Sequence, residues 1–186
     1  MSGASYDLSQ VGLLILLPDL MRQDVWVPLW DRLNLIPLEV VATTVVCLDP
    51  EDVVRLYSSN RRRDPANSRV DGLWLAPQMF AVDMSIGIVF RTSLDGTNLT
   101  ALLEHWKGSS RHAARRKGDL RSVSPIADAC SSLIHSPETA EELGKDLSLL
   151  FAGGAAWHWL GEAPAKRATS IQDISDLRAY VVPGEE

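Results

Sequence analysis

The chain has 186 residues, 46% of them hydrophobic, which is enough for one well-cored domain and too little for two ordinary ones. A formal net charge of −6 excludes general nucleic-acid binding, because neutralising a phosphate backbone takes a basic face. Cys47 and Cys130 have neither metal-ligand spacing nor a disulfide framework, which fits a reduced, cytoplasmic compartment, and the first residues carry no basic n-region.

The run Val11-Gly12-Leu13-Leu14-Ile15-Leu16-Leu17 is continuously apolar and is ended by Pro18-Asp19, the pattern of a central strand covered on both faces. It is far too short to span a membrane, so a soluble protein is expected. Val25, Val27, Leu29, Trp30 and Leu33 give an apolar stripe from about residue 23 to 34, with a helix start expected near Pro28. Ile36 to Leu48 is rich in β-branched residues and reads as a long strand ended by Asp49-Pro50. Asp49 is then a good N-cap and Pro50 a good first helical residue, with Val53, Val54 and Tyr57 on one face of a short helix.

From Asn60 to Pro77 the composition changes, with Arg61-Arg62-Arg63-Asp64-Pro65 and Asp71-Gly72 signalling a loop or an irregular helical excursion. Met84 to Phe90 is again strand-like. Leu99, Leu102, Leu103 and Trp106 recur at helical spacing, so residues from about 96 to 106 form an amphipathic helix. Gly108 to Pro125 is polar and basic, carrying Arg111, His112, Arg115, Arg116, Lys117 and Arg121, and is longer than a simple connection needs. Loops of that length are usually functional or disordered.

Ile126 to Ile134 is a weak strand candidate, and Pro137 to Phe151 reads as a helix with Ala140, Leu143, Leu147 and Leu150 as its buried stripe. Gly153-Gly154 ends it, and residues 155–186 form an appendage in which Trp157 and Trp159 suit an extended strand or a subunit contact. The order β-α-β-α-β-α-β-α predicts an α+β sandwich in which helices cover one face of a largely antiparallel sheet.

His135 stands where the apolar stretch Leu133-Ile134 meets the helix start Ser136-Pro137-Glu138-Thr139. An imidazole is a competent nucleophile near neutral pH, and the backbone N–H groups of a helix start attract phosphate oxygens. The local sequence alone favours a surface histidine beside a helix cap.

Four motifs weigh on that choice: Leu17-Pro18-Asp19 after the first strand, Leu56-Tyr57 after the second, Gly118-Asp119-Leu120-Arg121 in the basic loop, and Ser132-Leu133-Ile134-His135 before the last helix. In that order they resemble the Lys-Pro-Asp, Leu-Tyr, Gly-Thr-Ile/Leu-Arg and Asn-x-x-His of the nucleoside diphosphate kinase family, over roughly Val11 to Phe151. The resemblance implies a ferredoxin-like, largely antiparallel four-stranded sheet in residues 1–152, with 153–186 as a C-terminal extension. It implies that His135 carries the phosphoryl group. Asp146 stands where the family has a glutamate on the imidazole, and Arg121 and Ser110 stand where it has a phosphate-binding arginine and threonine, without a gap.

Tyr57 and Ser132 would complete the substrate contacts, with Lys117 and its neighbours Arg111, Arg115 and Arg116 as further loop cations. Trp74 and Phe80 lie in the region where the family stacks a base, although core packing suits both better. The implied ligand is a nucleotide or phosphorylated small molecule with Mg²⁺, and the implied assembly a homo-oligomer.

The departures are equally specific. Leu17 replaces the family's lysine, Glu104 its helix arginine, Ser132 its asparagine and Pro137 its serine, while Glu138 stands near its aspartate. Phosphoryl transfer depends on cations and positioned donors, so two missing cations would cost several kcal/mol of transition-state stabilisation. Three readings follow: a divergent phosphotransferase with an altered active site, a nucleotide-sensing or scaffold protein without turnover, or a pocket reassigned to a non-nucleotide substrate.

Overall fold

The computed structural model describes residues 8–58, 76–81, 83–125 and 133–151. Trp74, Cys130, Ser132, most of the 126–134 strand candidate and the 153–186 extension, with Trp157 and Trp159, lie outside the described residues.

Strand β1 (Val11–Leu16) is central, as its unbroken apolar run requires, and every residue of it is buried. It pairs antiparallel with β3 (Met84–Thr92), Leu14 opposite Ile88, and with β4 (Ile134–His135), Ile15 opposite His135. Strand β2 (Leu38–Cys47) pairs antiparallel with the far side of β3, so the order is β2-β3-β1-β4. The register along β2 shifts between Val40 and Ala42, a bulge that brings both Val41 and Ala42 into the core. The expected antiparallel α+β sheet is thus present.

Its helices, however, lie on both faces. Leu14 and Leu16 of β1 with Ile86, Ile88 and Phe90 of β3 pack under α1 (Pro18–Met21), α2 (Trp26–Leu33) and α5 (Leu99–Lys107). The alternate residues Leu13, Ile15 and Val89 pack under α3 (Pro50–Leu56), α4 (Ala76–Phe80) and α6 (Ala140–Leu150). A two-sided apolar strand demands two covers, so the one-sided arrangement expected from the element order fails on β1 itself.

Caps set the helix starts. Asp49 accepts from the Asp52 N–H at 2.8 Å while the Asp52 carboxylate returns to the Asp49 N–H, a capping box that fixes α3. Asn98 accepts from the Ala101 N–H at 3.1 Å, and Thr139 from the Glu142 N–H at 3.2 Å. Thr139 therefore starts α6 at Ala140, three residues after the expected Pro137. The stripe at 23–34 resolves into the single helix α2, which starts at Trp26 rather than near Pro28 and holds Pro28 in its first turn, where a missing N–H breaks no hydrogen bond.

Three positions of the expected apolar faces turn outward. Val27, Val54 and Ala140 are exposed, and the buried face of α6 holds Asp146 beside Leu143, Leu147 and Leu150. Among the described residues no helix is long and apolar enough to cross a membrane.

Candidate active site

His135 lies on a strand of two residues. Ile134 points into the α2–α5 core, so the pleat turns His135 toward α3 and α6. There its Nε2 meets Oδ2 of Asp146 at 2.8 Å, and both side chains are buried. A ring N–H on Nε2 donating to that carboxylate leaves Nδ1 as the acceptor nitrogen, and Nδ1 makes no hydrogen bond among the described residues. Just beneath, Leu133 has φ +57°, a left-handed conformation that costs a non-glycine residue about 1 kcal/mol. Burial and the Leu17 N–H, which donates to the Leu133 carbonyl at 2.9 Å, hold it there.

Tyr57, at the C-cap of α3, packs edge-on to the imidazole with ring centroids 5.2 Å apart, and its other side meets Phe80 at 5.8 Å. Phe80 is a core residue, as expected.

Arg121 is buried, and it sits at the main chain of the histidine strand. Its Nη1 donates to the Gly108 carbonyl at 2.7 Å and its Nη2 to the Ile134 carbonyl at 2.6 Å. Burial pulls its pKa down to about 10, nearby Arg115 adds to that, and Tyr57, Glu104 and Asp119 oppose it. Ser110 is half-buried on the same loop, with its carbonyl held by Arg115 Nη2 at 3.0 Å. Arg115 also donates to the carbonyls of Ser109 and Arg121, so it straps the two limbs of the loop together. Arg116 binds Asp119 and His105, while Arg111 and Lys117 are exposed.

Asp119 is buried against Gly108, whose φ is +79°. A Cβ at Gly108 would collide with the Asp119 carboxylate, which Arg116 prevents from swinging away. Gly108→Ala should therefore lose about 2 kcal/mol, from the strained φ together with the clash. Urea unfolding would read this as a lower midpoint at unchanged slope; an unchanged midpoint would show that the loop yields freely.

The structure thus gathers His135, Asp146, Tyr57 and Arg121. It also adds a residue the sequence reading missed. Lys107 is buried, and its Nζ donates to the Ser136 carbonyl at 3.2 Å, with Glu104 at 3.9 Å. Burial lowers its pKa to about 8, aided by Arg121 and opposed by Glu104, Glu138 and Glu142. The signal was its place four residues after Leu103 on the stripe that begins at Leu99, a lysine on a buried face. The two departures look different in three dimensions: Leu17 is fully buried core, and Glu104 is half-buried beside Lys107.

Behind Asp146, helices α3 and α6 frame a cleft of about 630 Å³, within the size range of small-molecule sites. Asp52, Arg55, Ser58, Lys145, Asp146 and Ser148 supply its polar lining. Among the described residues no three His, Cys, Asp or Glu side chains gather into a metal cage. A Mg²⁺ ion carried by a nucleotide would be held largely by phosphate oxygens and water and would need no such cage.

Among solved structures the chain is similar to nucleoside diphosphate kinase from Encephalitozoon cuniculi in its apo cubic form. The TM-score is 0.60 at 15% identity, over 81% of this chain and 99% of that one. No family model matches the chain, and no curated protein does. The likeness establishes a nucleoside diphosphate kinase-like fold.

Proposed function

We propose that this chain is a divergent phosphotransferase that passes the terminal phosphoryl group of a nucleotide through a phosphohistidine at His135. The single observation that carries this reading is the buried His135–Asp146 pair at 2.8 Å on a nucleoside diphosphate kinase-like fold. With the Nε2 proton directed at the carboxylate, the Nδ1 lone pair is the nucleophile. Its attack in line on the terminal phosphorus forms a P–N bond as the bond to the leaving diphosphate oxygen breaks. Asp146 stabilises the ring that gains positive charge. An acceptor hydroxyl or phosphate then takes the group and restores the imidazole.

Ser110 would face the phosphate oxygens, Arg121 would hold the strand that carries His135 through the Ile134 carbonyl in place of the phosphate contact the resemblance implies, Tyr57 would donate from the side, and Ser132 and Lys117 would close the substrate contacts. Mg²⁺ bound to the nucleotide would neutralise phosphate charge. As in the structural neighbour's fold class generally, a homo-oligomer is the expected assembly.

Incubation with ATP or GTP labelled at the γ-phosphate tests this directly: the native chain should acquire an alkali-stable, acid-labile label. Asp146→Asn should slow labelling by about 10²-fold, because an amide no longer fixes the productive tautomer, while Asp146→Glu retains more. Equal rates for Asp146→Asn and native protein would remove Asp146 from the mechanism.

A second reading is favoured by Arg121, whose Nη1 and Nη2 both serve main-chain carbonyls, and by the buried Leu17 at the family's lysine position. A site so depleted of phosphate-facing cations would bind a nucleotide as a sensor or scaffold without turnover. Calorimetry with a nucleotide panel separates the cases: binding without label transfer supports sensing, and no binding at all points to a non-nucleotide substrate.

A further inference from the structure

Strand β4 contributes only Ile134 and His135 and meets β1 at two residues, Ile15 and Leu16. So short a ladder leaves the peptides around the imidazole to be held from elsewhere. Two cations do this. Arg121, from the 3₁₀ turn Leu120–Val123, donates to the carbonyl of the residue before His135, and Lys107, from the last turn of α5, donates to the carbonyl of the residue after it, Ser136. Asp146 of α6 holds the ring itself.

We propose that Lys107 is a positioning residue for His135: its ammonium fixes the Ser136 peptide as Arg121 fixes the Ile134 peptide, so that the imidazole keeps one direction. Lys107 touches neither substrate nor the reacting atoms. Its consequence for rate rests on the phosphohistidine reading; its hold on the main chain does not.

The groups that face the Lys107 ammonium are Glu104 on its own helix, Arg121 from the 3₁₀ turn, and Glu138 and Glu142 at the start of α6. Burial and Arg121 bring its pKa to about 8, whereas Arg121 stays charged to about 10. Above pH 8 the clamp therefore has one charged jaw and one neutral one, and a neutral amine is the weaker donor.

Stability runs the other way. The folded pKa of about 8 lies below the ordinary 10.5, so between those values the unfolded chain binds the extra proton and this group makes folding more favourable as pH rises. Activity falling while stability from the same group rises is a signature that a merely structural lysine does not produce.

The test compares native protein, Lys107→Arg and Lys107→Met in initial labelling rate from γ-labelled ATP with Mg²⁺, over pH from about 6.5 to about 9.5. Native protein should fall through a midpoint near 8 toward the Lys107→Met rate, a loss of up to about tenfold. Lys107→Arg should keep the neutral rate to within about threefold and show no alkaline fall in that range, since arginine stays charged. Lys107→Met should be slower by about tenfold or more throughout. A Lys107→Arg profile with the native midpoint, or a native-like Lys107→Met, overturns the proposal.

If no protein is labelled, the phosphohistidine reading fails and nitrogen-15 NMR of the ligand-free chain decides the clamp alone. The main-chain amide signals of His135 and Ser136 should then shift with a midpoint near pH 8, as Lys107 loses its proton, in native protein and not in Lys107→Arg. Their failure to do so overturns the clamp.

Discussion

His135→Gln carries no alkali-stable label after incubation with γ-labelled ATP or GTP and Mg²⁺, whereas the native chain does; the expected loss is at least about 10³-fold. A phosphoramidate survives base and is lost in acid, and phosphate esters of serine and threonine survive acid, so the chemistry of the label identifies its residue class. Glutamine is the right replacement because its amide nitrogen extends about as far as the imidazole Nε2 and can still donate to Asp146, which is buried and otherwise loses its imidazole partner. Leaving that carboxylate unpaired would cost about 1–3 kcal/mol and confuse loss of chemistry with loss of fold. A thermal scan alongside the labelling keeps the two apart. Label persisting in the variant places the carrier elsewhere, and an unlabelled native chain sinks the phosphotransferase reading.

Arg121→Leu is expected to be the most destabilising single substitution in the site region. Two carbonyls, of half-buried Gly108 and buried Ile134, lose the guanidinium that donates to them at 2.7 and 2.6 Å, and leucine offers them nothing. Each orphaned buried acceptor costs about 1–3 kcal/mol, so a total near 3–5 kcal/mol is the expected fall in unfolding free energy, measured by urea denaturation. Arg121→Lys should recover part of this, because one ammonium reaches one carbonyl but not both. Native-like stability in Arg121→Leu would show that the loop and β4 re-pair without the guanidinium. A second consequence is local: with the Ile134 carbonyl released, labelling at His135 should fall even where the remaining fold is intact.

Much of this molecule could be read along the chain. β1 announced itself by seven consecutive apolar residues, α3 by Asp49-Pro50, α5 by the spacing of Leu99, Leu103 and Trp106, and the antiparallel α+β sheet by the alternation of elements. The pairing of His135 with Asp146 was legible too, through a resemblance whose spacing the 2.8 Å contact now matches. The boundaries that moved did so for local reasons. Thr139 outcompeted Pro137 as the start of α6 because its hydroxyl reaches the Glu142 N–H. The two-sided cover of the sheet was latent in β1, yet element order alone suggested one layer of helices.

By itself the sequence determined what depends on residues a few positions apart: periodicity, caps and the helix after His135. Only the tertiary structure decided where the long cations spend their donors. Lys107 and Arg121 reach carbonyls 29 and 13 residues away, on either side of His135, because the sheet and the basic loop bring those peptides within reach. A flexible charged side chain carries no local signal for which distant backbone group it will satisfy. Burial then completes the decision, since a desolvated ammonium or guanidinium must find an acceptor or lose its proton.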